Sequence, residues 1–168
     1  MKSTNTKKPF SLEEFIAKIA VARKEGGVDL STTEDLSLAV MNLISLEEHF
    51  FFTAMKTGKD EYHDTATEVR RMRTQLLAEL MPDHEGETWC ASKHLLSATM
   101  RLIEVGNKLQ SEGMKEKAGE VFKKAYHVYS IFWALKLKLI SVKSVPNVSP
   151  DSVRLEDLVS KLADCCKE

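Results

Sequence analysis

The sequence predicts an all-α fold, an antiparallel bundle of five to six helices built on two αα-hairpins. Apolar residues recur at spacings of three and four along most of the 168-residue chain, as on the buried face of an amphipathic helix. No segment alternates apolar and polar residues in the way that marks a half-buried strand. Glycine and proline stand mainly where one helical pattern stops and the next begins. These observations argue against a sheet and favour a bundle.

The pattern divides the chain into four predicted segments: a flexible N-terminus over residues 1–10, a helical bundle domain over 11–144, a linker over 145–150 and a C-terminal amphipathic helix over 151–168. The first helix opens on the capping box Ser11-Leu-Glu-Glu14 and ends at Gly26-Gly27. Two prolines in the linker then separate the bundle from the last helix, because proline cannot continue a helix.

Two central hairpins are predicted to turn at Gly58 and Gly113. Their connections are short, which favours antiparallel neighbours. Glu34 and Asp35 are expected in the first turn of the first of these helices, and Met55 and Met72 on buried stripes. The last of these helices would be roughly 40 Å long. The predicted helices run from a Ser31 or Thr32 cap to Thr57, from Asp60 to Met81, from Thr88 to Ser111 and from Lys115 towards Val142.

The second hairpin carries a recognisable pattern, Leu102-x2-Val105-Gly106-x2-Leu109, then Ala118-x3-Phe122. It resembles a tetratricopeptide repeat, which reads Trp-x2-Leu-Gly-x2-Tyr, then Ala-x3-Phe, then Pro. The resemblance covers residues 102–130 once, and Ser130 stands where the repeat has its proline. It implies two closely packed helices at the small residues Gly106 and Ala118. Since a solenoid needs about three copies, we expect one such hairpin inside a bundle.

Composition limits the classes of partner. Lys plus Arg number 24 and Asp plus Glu number 25, so a net charge of -1 offers no global attraction for nucleic acid or anionic membranes. The longest apolar stretch, Val128–Ile140, contains two lysines and is too short to span a bilayer. The N-terminus lacks the apolar core of a signal peptide. Three cysteines, an odd count, do not form a disulfide framework, so we expect a reducing cytoplasm.

Motifs for catalysis, metals and cofactors are not found. No glutamate precedes a histidine by three residues, as di-iron bundles require, and no paired histidine spacing suits zinc. No phosphate-binding glycine loop occurs. Cys90 and His94 lie four residues apart, which permits a nucleophile and base on one helix face. The favoured interpretation of Cys90 is a small buried residue. We therefore expect no catalytic residue, metal or cofactor.

A carboxylate, Glu47, falls on the apolar stripe of its helix, between Leu43 and Phe50. A carboxylate at such a position must be paired or neutral. The next helix supplies Arg70 and Arg73, so we expect an interhelical pair between Glu47 or its neighbour Glu48 and one of these arginines. The favoured interpretation is a bridge that fixes the register of the two helices. The alternative is a carboxylate–arginine site for a ligand.

On the helix over 88–111, one line of residues at spacings of three and four is interpreted as a solvated face: Cys90, His94, Ser97, Arg101, Glu104 and Lys108. The alternative is a surface that binds an anion or a partner, formed by Trp89, Lys93, His94 and Arg101. Glu104 can pair with Arg101 at a spacing of three. The following helix carries Tyr126, Tyr129, Phe132 and Trp133, which at helical spacing are interpreted as core. The alternative is nucleic-acid binding together with Lys136, Lys138 and Lys143.

The sequence thus favours a non-catalytic helical interaction or accessory protein that binds a protein partner, with homo-oligomers as a further possibility. The alternative is a small ligand-binding protein or enzyme with a polar interhelical pocket around Glu47, Arg73, Cys90 and His94. A nucleic-acid-associated helical protein ranks third, and no membrane partner is expected. The predicted binding residues are Glu47, Arg70, Arg73, Trp89, Lys93, His94 and Arg101.

Overall fold

The computed structural model describes residues 30–83, 86–138, 140 and 142. These residues form helices and contain no strand, which confirms the all-α class for this part of the chain. A count of five to six helices is not confirmed, because the helices predicted over 11–27 and 151–168, and the linker between the bundle and the last helix, lie outside the described residues. The four described helices are α1 Leu30–Thr57, α2 Glu61–Leu80, α3 Thr88–Ser111 and α4 Lys115–Lys136.

The helices pack as two hairpins. α1 lies mainly against α2 and α3 mainly against α4, while α1 also contacts α3. The hairpins turn at Gly58, with φ +66°, and at Gly113, with φ +78°. Glycine suits both positions because a side chain is strained in this left-handed region. These two tight turns make the helices of each hairpin antiparallel neighbours.

The core lies between the two hairpins, and all four helices contribute to it. Phe132 is fully buried and Trp133 is 2% exposed. The ring of Tyr129 stacks on Phe132 at a centroid distance of 5.9 Å. Its hydroxyl shares a 2.7 Å hydrogen bond with the buried Ser37 of α1, which joins the hairpins. The aromatic residues of α4 are therefore core, as expected from their spacing.

The helices α3 and α4 approach closely at Gly106. A Cβ atom there would lie 2.6 Å from Cδ1 of the Phe122 ring, well inside van der Waals contact. Ala118 on α4 is fully buried. Small residues thus set the close spacing of this hairpin, as the sequence pattern predicts. The family resemblance itself stays a prediction.

The predicted start of α1 is wrong. The helix includes Leu30, so Ser31 and Thr32 lie inside it, and Glu34 and Asp35 fall beyond its first turn. A side-chain cap contributes only about 1 kcal/mol, so a longer helix can outweigh it.

Two predicted stripe positions are exposed. Met55 is 64% exposed, because Ala54 takes the buried position in that turn of α1. Met72 is 38% exposed, because the buried line of α2 runs through its neighbour Arg73. A step of one residue turns a helix by about 100°, enough to move a side chain off its packed face.

The predicted length of α4 is also wrong. The helix ends at Lys136 after 22 residues, about 33 Å, instead of continuing to Val142. Lys138 has φ 55°, a left-handed conformation that stops the helix, and its N–H bonds the carbonyl of Leu135 at 3.0 Å. This is the conformation in which helices commonly end.

Candidate binding groove

A half-open groove of about 560 Å³ lies between α1, α2 and α3. Each helix contributes residues spaced by three or four positions, which therefore share one helix face. α1 presents Glu47 and Phe51 on one line and Glu48 and Phe52 on the next. The groove thus combines carboxylates and aromatic rings along one wall.

The floor of the groove is an ion-pair network centred on Glu47. Arg73 donates its Nε to one carboxylate oxygen at 2.8 Å, and Arg70 donates its Nε to the other at 2.6 Å. The side chain of Arg73 is 9% exposed and that of Glu47 is 17% exposed, whereas Arg70 is 66% exposed. The predicted pairing is present, and Glu47 takes both arginines at once.

The two arginines favour the ionised form of Glu47. Burial raises the pKa of this carboxyl, but the hydrogen bonds from Arg73 and Arg70 outweigh burial and hold the pKa below its ordinary value. Glu47 is therefore ionised at neutral pH. Because its two partners lie on α2, the carboxylate also ties the register of α1 to that of α2.

The opposite wall comes from α3, where Lys93, His94 and Ser97 line the groove. Lys93 is half-buried, and His94 is exposed. Within the described residues, the ammonium of Lys93 has no ion-pair or hydrogen-bond partner. α2 adds His63 and the hydroxyl of Thr67 to the lining. The groove is therefore rich in nitrogen donors around a floor whose one carboxylate, Glu47, is paired with two arginines.

Arg101 sits beside the groove and does not line it. It donates Nη2 to the hydroxyl of Ser45 at 2.7 Å. Its Nε lies 3.9 Å from a carboxylate oxygen of Glu48, and its Nη1 lies 3.5 Å from one of Glu104. The expected Arg101–Glu104 pair is present. Arg101 therefore connects α3 to α1 and compensates the second carboxylate of the groove wall.

Two residues predicted for this region lie elsewhere. Trp89 packs partly buried against the core cluster instead of lining the groove. Cys90 is exposed and does not line the groove, so its interpretation as a buried residue is wrong. Ser92, two residues further along the helix, is fully buried, and Cys90 therefore lies on the outward side of α3. The structure thus brings together Glu47, Arg70, Arg73, Lys93 and His94.

An apolar rim, Phe51 and Phe52, is the part of the site that sequence reasoning missed. Phe51 is 50% exposed and Phe52 is 57% exposed, and their rings meet edge to face at a centroid distance of 5.3 Å. The run Phe50-Phe51-Phe52 contained the signal. Three consecutive residues span about 200° of a helix and cannot all face one core. Phe50 instead stacks on Tyr62 of α2 at a ring-centroid distance of 6.3 Å.

No group of three or more His, Cys, Asp or Glu residues is placed to hold a metal ion within the described part of the chain. Among the same residues, no helix is both long and apolar enough to cross a membrane. Comparison with protein-family models, with curated proteins and with solved structures found no match for this chain.

Proposed function

We propose that this chain is a non-catalytic interaction protein that binds a protein partner through the groove between α1, α2 and α3. The observation that carries the proposal is the apolar rim, two aromatic side chains at least half exposed beside a charged groove. Exposing such rings to water is unfavourable, and contiguous exposed apolar surface marks interaction sites. Phenylalanine and arginine are also enriched at protein interfaces.

The floor of the groove supports the same proposal. Glu47 is held by two arginines of the neighbouring helix at 2.6 and 2.8 Å, so this part of the groove is rigid before any partner arrives. A rigid surface loses less conformational entropy on binding than a mobile one. The bridge therefore orders the groove, while the exposed rim remains free to contact a partner.

The test removes the rim without touching the core. A Phe51→Ser, Phe52→Ser variant and a Leu38→Ser control are used as baits in the native cell with quantitative mass spectrometry. Leu38 lies on the same helix, is 42% exposed and does not line the groove. We expect at least one protein to be enriched by the wild type and the control and lost from the rim variant. That protein is then purified and its direct binding measured.

A partner set that is unchanged by the rim substitutions would refute the proposal. Far-UV circular dichroism of each bait first shows that it is folded, because an unfolded bait would lose partners for another reason. Direct binding of the purified protein excludes enrichment through a third component.

A small anionic ligand is a second candidate, favoured by the shape of the groove. Its volume of about 560 Å³ lies in the range of small-molecule sites. Lys93 and Ser97 supply donors in the lining. An enzymatic role has less support, because Cys90 lies outside the groove. Thermal denaturation with a panel of carboxylates and phosphates tests the ligand, since a bound ligand raises Tm.

Nucleic-acid binding loses its main support. The aromatic residues proposed to stack on bases include Tyr129, 9% exposed, and Trp133, 2% exposed, and buried rings cannot stack on a base. Lys143, the last of the basic residues invoked for this role, lies outside the described residues. We keep a cytoplasmic location as a proposal, supported by the exposed free thiol of Cys90, which suits a reducing compartment.

A further inference from the structure

We propose that the segment bound in the groove is an acidic peptide. A carboxylate of the peptide pairs with Lys93 and Arg70, and a neighbouring large apolar side chain packs on the rim formed by Phe51 and Phe52. This inference rests on the proposed function, because it names the chemistry of the partner at the same groove.

The carboxylates of the groove are already compensated by the protein. Glu47 accepts hydrogen bonds from Arg70 and Arg73. Glu48 has the guanidinium of Arg101 at 3.9 Å. Neither carboxylate therefore requires a cation from a partner, so a basic peptide would find no unpaired acceptor on this wall.

The cations of the groove are in excess. Lys93 is half-buried, and its ammonium has no anionic partner within the described residues. Arg70 uses its Nε for Glu47, and its side chain is 66% exposed, so its other N–H groups are accessible. The imidazoles of His63 and His94 add donors to the same lining. An incoming carboxylate would supply the missing charge.

The rim defines the second requirement. The edge-to-face rings of Phe51 and Phe52 offer an apolar surface next to the cations, and Met55 extends it by one helical turn with 64% exposure. A ligand that filled only the charged part would leave these rings in water. The occupant therefore needs an acidic group and a large apolar group a few ångströms apart, as neighbouring side chains of a peptide provide.

A polyphosphate chain fits less well than an acidic peptide. Glu47 and Glu48 line the groove beside the cations, and each would repel a run of phosphates. The net charge of the whole chain is -1, which gives no long-range attraction for nucleic acid. A peptide can place one carboxylate at Lys93 and keep the rest of its charge away from the glutamates.

The test begins with an unbiased selection. A random peptide library displayed on phage is selected on the immobilised wild-type chain, with elution of bound phage after washing. We expect enriched sequences that place Asp or Glu beside Phe, Leu, Trp or Met. One enriched peptide is synthesised with a fluorescent label, and its affinity is measured by anisotropy.

Matched variants then test the contacts. Lys93→Gln should weaken the labelled peptide about tenfold, the effect of losing one charge-assisted hydrogen bond. Lys108→Gln is the control, since Lys108 is an exposed lysine of the same helix outside the groove. Replacing the peptide's acidic residue by its amide should weaken binding to the wild type more than binding to the Lys93→Gln variant, in which only Arg70 still pairs with the carboxylate. Added salt should also weaken binding.

The outcomes separate this inference from the proposed function. Enrichment of apolar peptides without acidic residues, whose binding requires Phe51 and Phe52, would overturn the acidic partner and leave the interaction groove standing. Failure to enrich any peptide would overturn the inference. Tighter binding of a labelled oligothymidine than of the selected peptide, sensitive to Lys93→Gln, would overturn it in favour of nucleic acid.

Discussion

The two arginines that hold Glu47 should contribute unequally to stability, although each donates one Nε to the same carboxylate. The hydrogen bonds are 2.8 Å from Arg73 and 2.6 Å from Arg70, so their geometry is closely similar. Their surroundings differ, because the side chain of Arg73 is 9% exposed and that of Arg70 is 66% exposed. Burial is therefore the one variable that separates Arg73→Gln from Arg70→Gln.

The expected magnitudes follow from that burial. Breaking a fully buried ion pair costs about 3–5 kcal/mol, and breaking an exposed one costs less than about 1 kcal/mol. Glu47 keeps 17% of its exposure and Arg70 still pairs with it, so Arg73→Gln should reduce the free energy of unfolding by about 2 kcal/mol. Arg70→Gln should reduce it by about 0.5 kcal/mol. Glu47→Gln should resemble Arg73→Gln, because it leaves the buried guanidinium without its anion.

The assay is urea unfolding followed by far-UV circular dichroism at neutral pH and low salt. A double variant, Glu47→Gln with Arg73→Gln, should lose less than the sum of the two single losses, since both remove the same interaction. Equal losses for the two arginine variants would refute the argument from burial. Losses below about 0.5 kcal/mol for Glu47→Gln would show that the bridge does not stabilise the pair of helices.

Two further predictions use substitutions with opposite expected signs. Gly106→Ala should reduce the free energy of unfolding by about 1–2 kcal/mol, because the added Cβ would overlap the ring of Phe122. Gly119→Ala should raise the free energy of unfolding by about 0.5–1 kcal/mol in the same urea assay, because its Cβ would enter open space on α4 and alanine favours a helix more than glycine does. Similar shifts for both glycines would contradict the overlap. The loss of stability caused by Glu47→Gln should become smaller on acidification. The pKa of Glu47 in the folded protein is held below its ordinary value, so its carboxylate stabilises the fold at any pH above the unfolded-state pKa of about 4.3. This stabilisation is lost as the pH falls through the folded-state pKa. Burial, and secondarily Asp35, raises the pKa of Glu34, so Glu34→Gln should stabilise the protein at neutral pH and lose this effect in acid. If the stabilities of Glu47→Gln and Glu34→Gln changed with pH in the same direction relative to the wild type, these two pKa directions would be wrong.

The parts of the fold that were predictable from sequence are those set by local chemistry. Gly58 and Gly113 mark turns because few other residues adopt a left-handed backbone without strain, and both turns are present. The spacing of Tyr129, Phe132 and Trp133 predicts a core face, and all three are buried. The ends of the helices were predicted less well from the sequence. At Lys138, a residue with no special preference for the left-handed region ends α4, so nothing in its identity predicts the stop.

The candidate site was predictable where charge demanded a partner. Glu47 on an apolar stripe required a cation, and α2 offered Arg70, Arg71 and Arg73. An interhelical bridge was therefore predictable, with Glu47 or Glu48 as the acid. Which arginine would be buried did not follow, because that depends on how the helices pack together. The predictions that placed Trp89 and Cys90 in this region were wrong for the same reason. Their helix was predicted correctly, but the face turned towards α1 and α2 is set by the packing of three helices together.

The floor and the rim of the groove differ in what they do for the molecule, and this difference separates structure from function. Arg73 and Glu47 are largely buried, so variants there change the free energy of unfolding whether or not a partner exists. Phe51 and Phe52 each leave half or more of their area in water, so replacing them removes less buried surface than replacing a core residue would. Stability alone gives no reason to keep two adjacent aromatic rings in water at this point of α1. A rim variant that folds normally and loses a partner would therefore identify contact with that partner as what the rings provide. A rim variant that unfolds would show instead that the buried part of these rings is needed for stability.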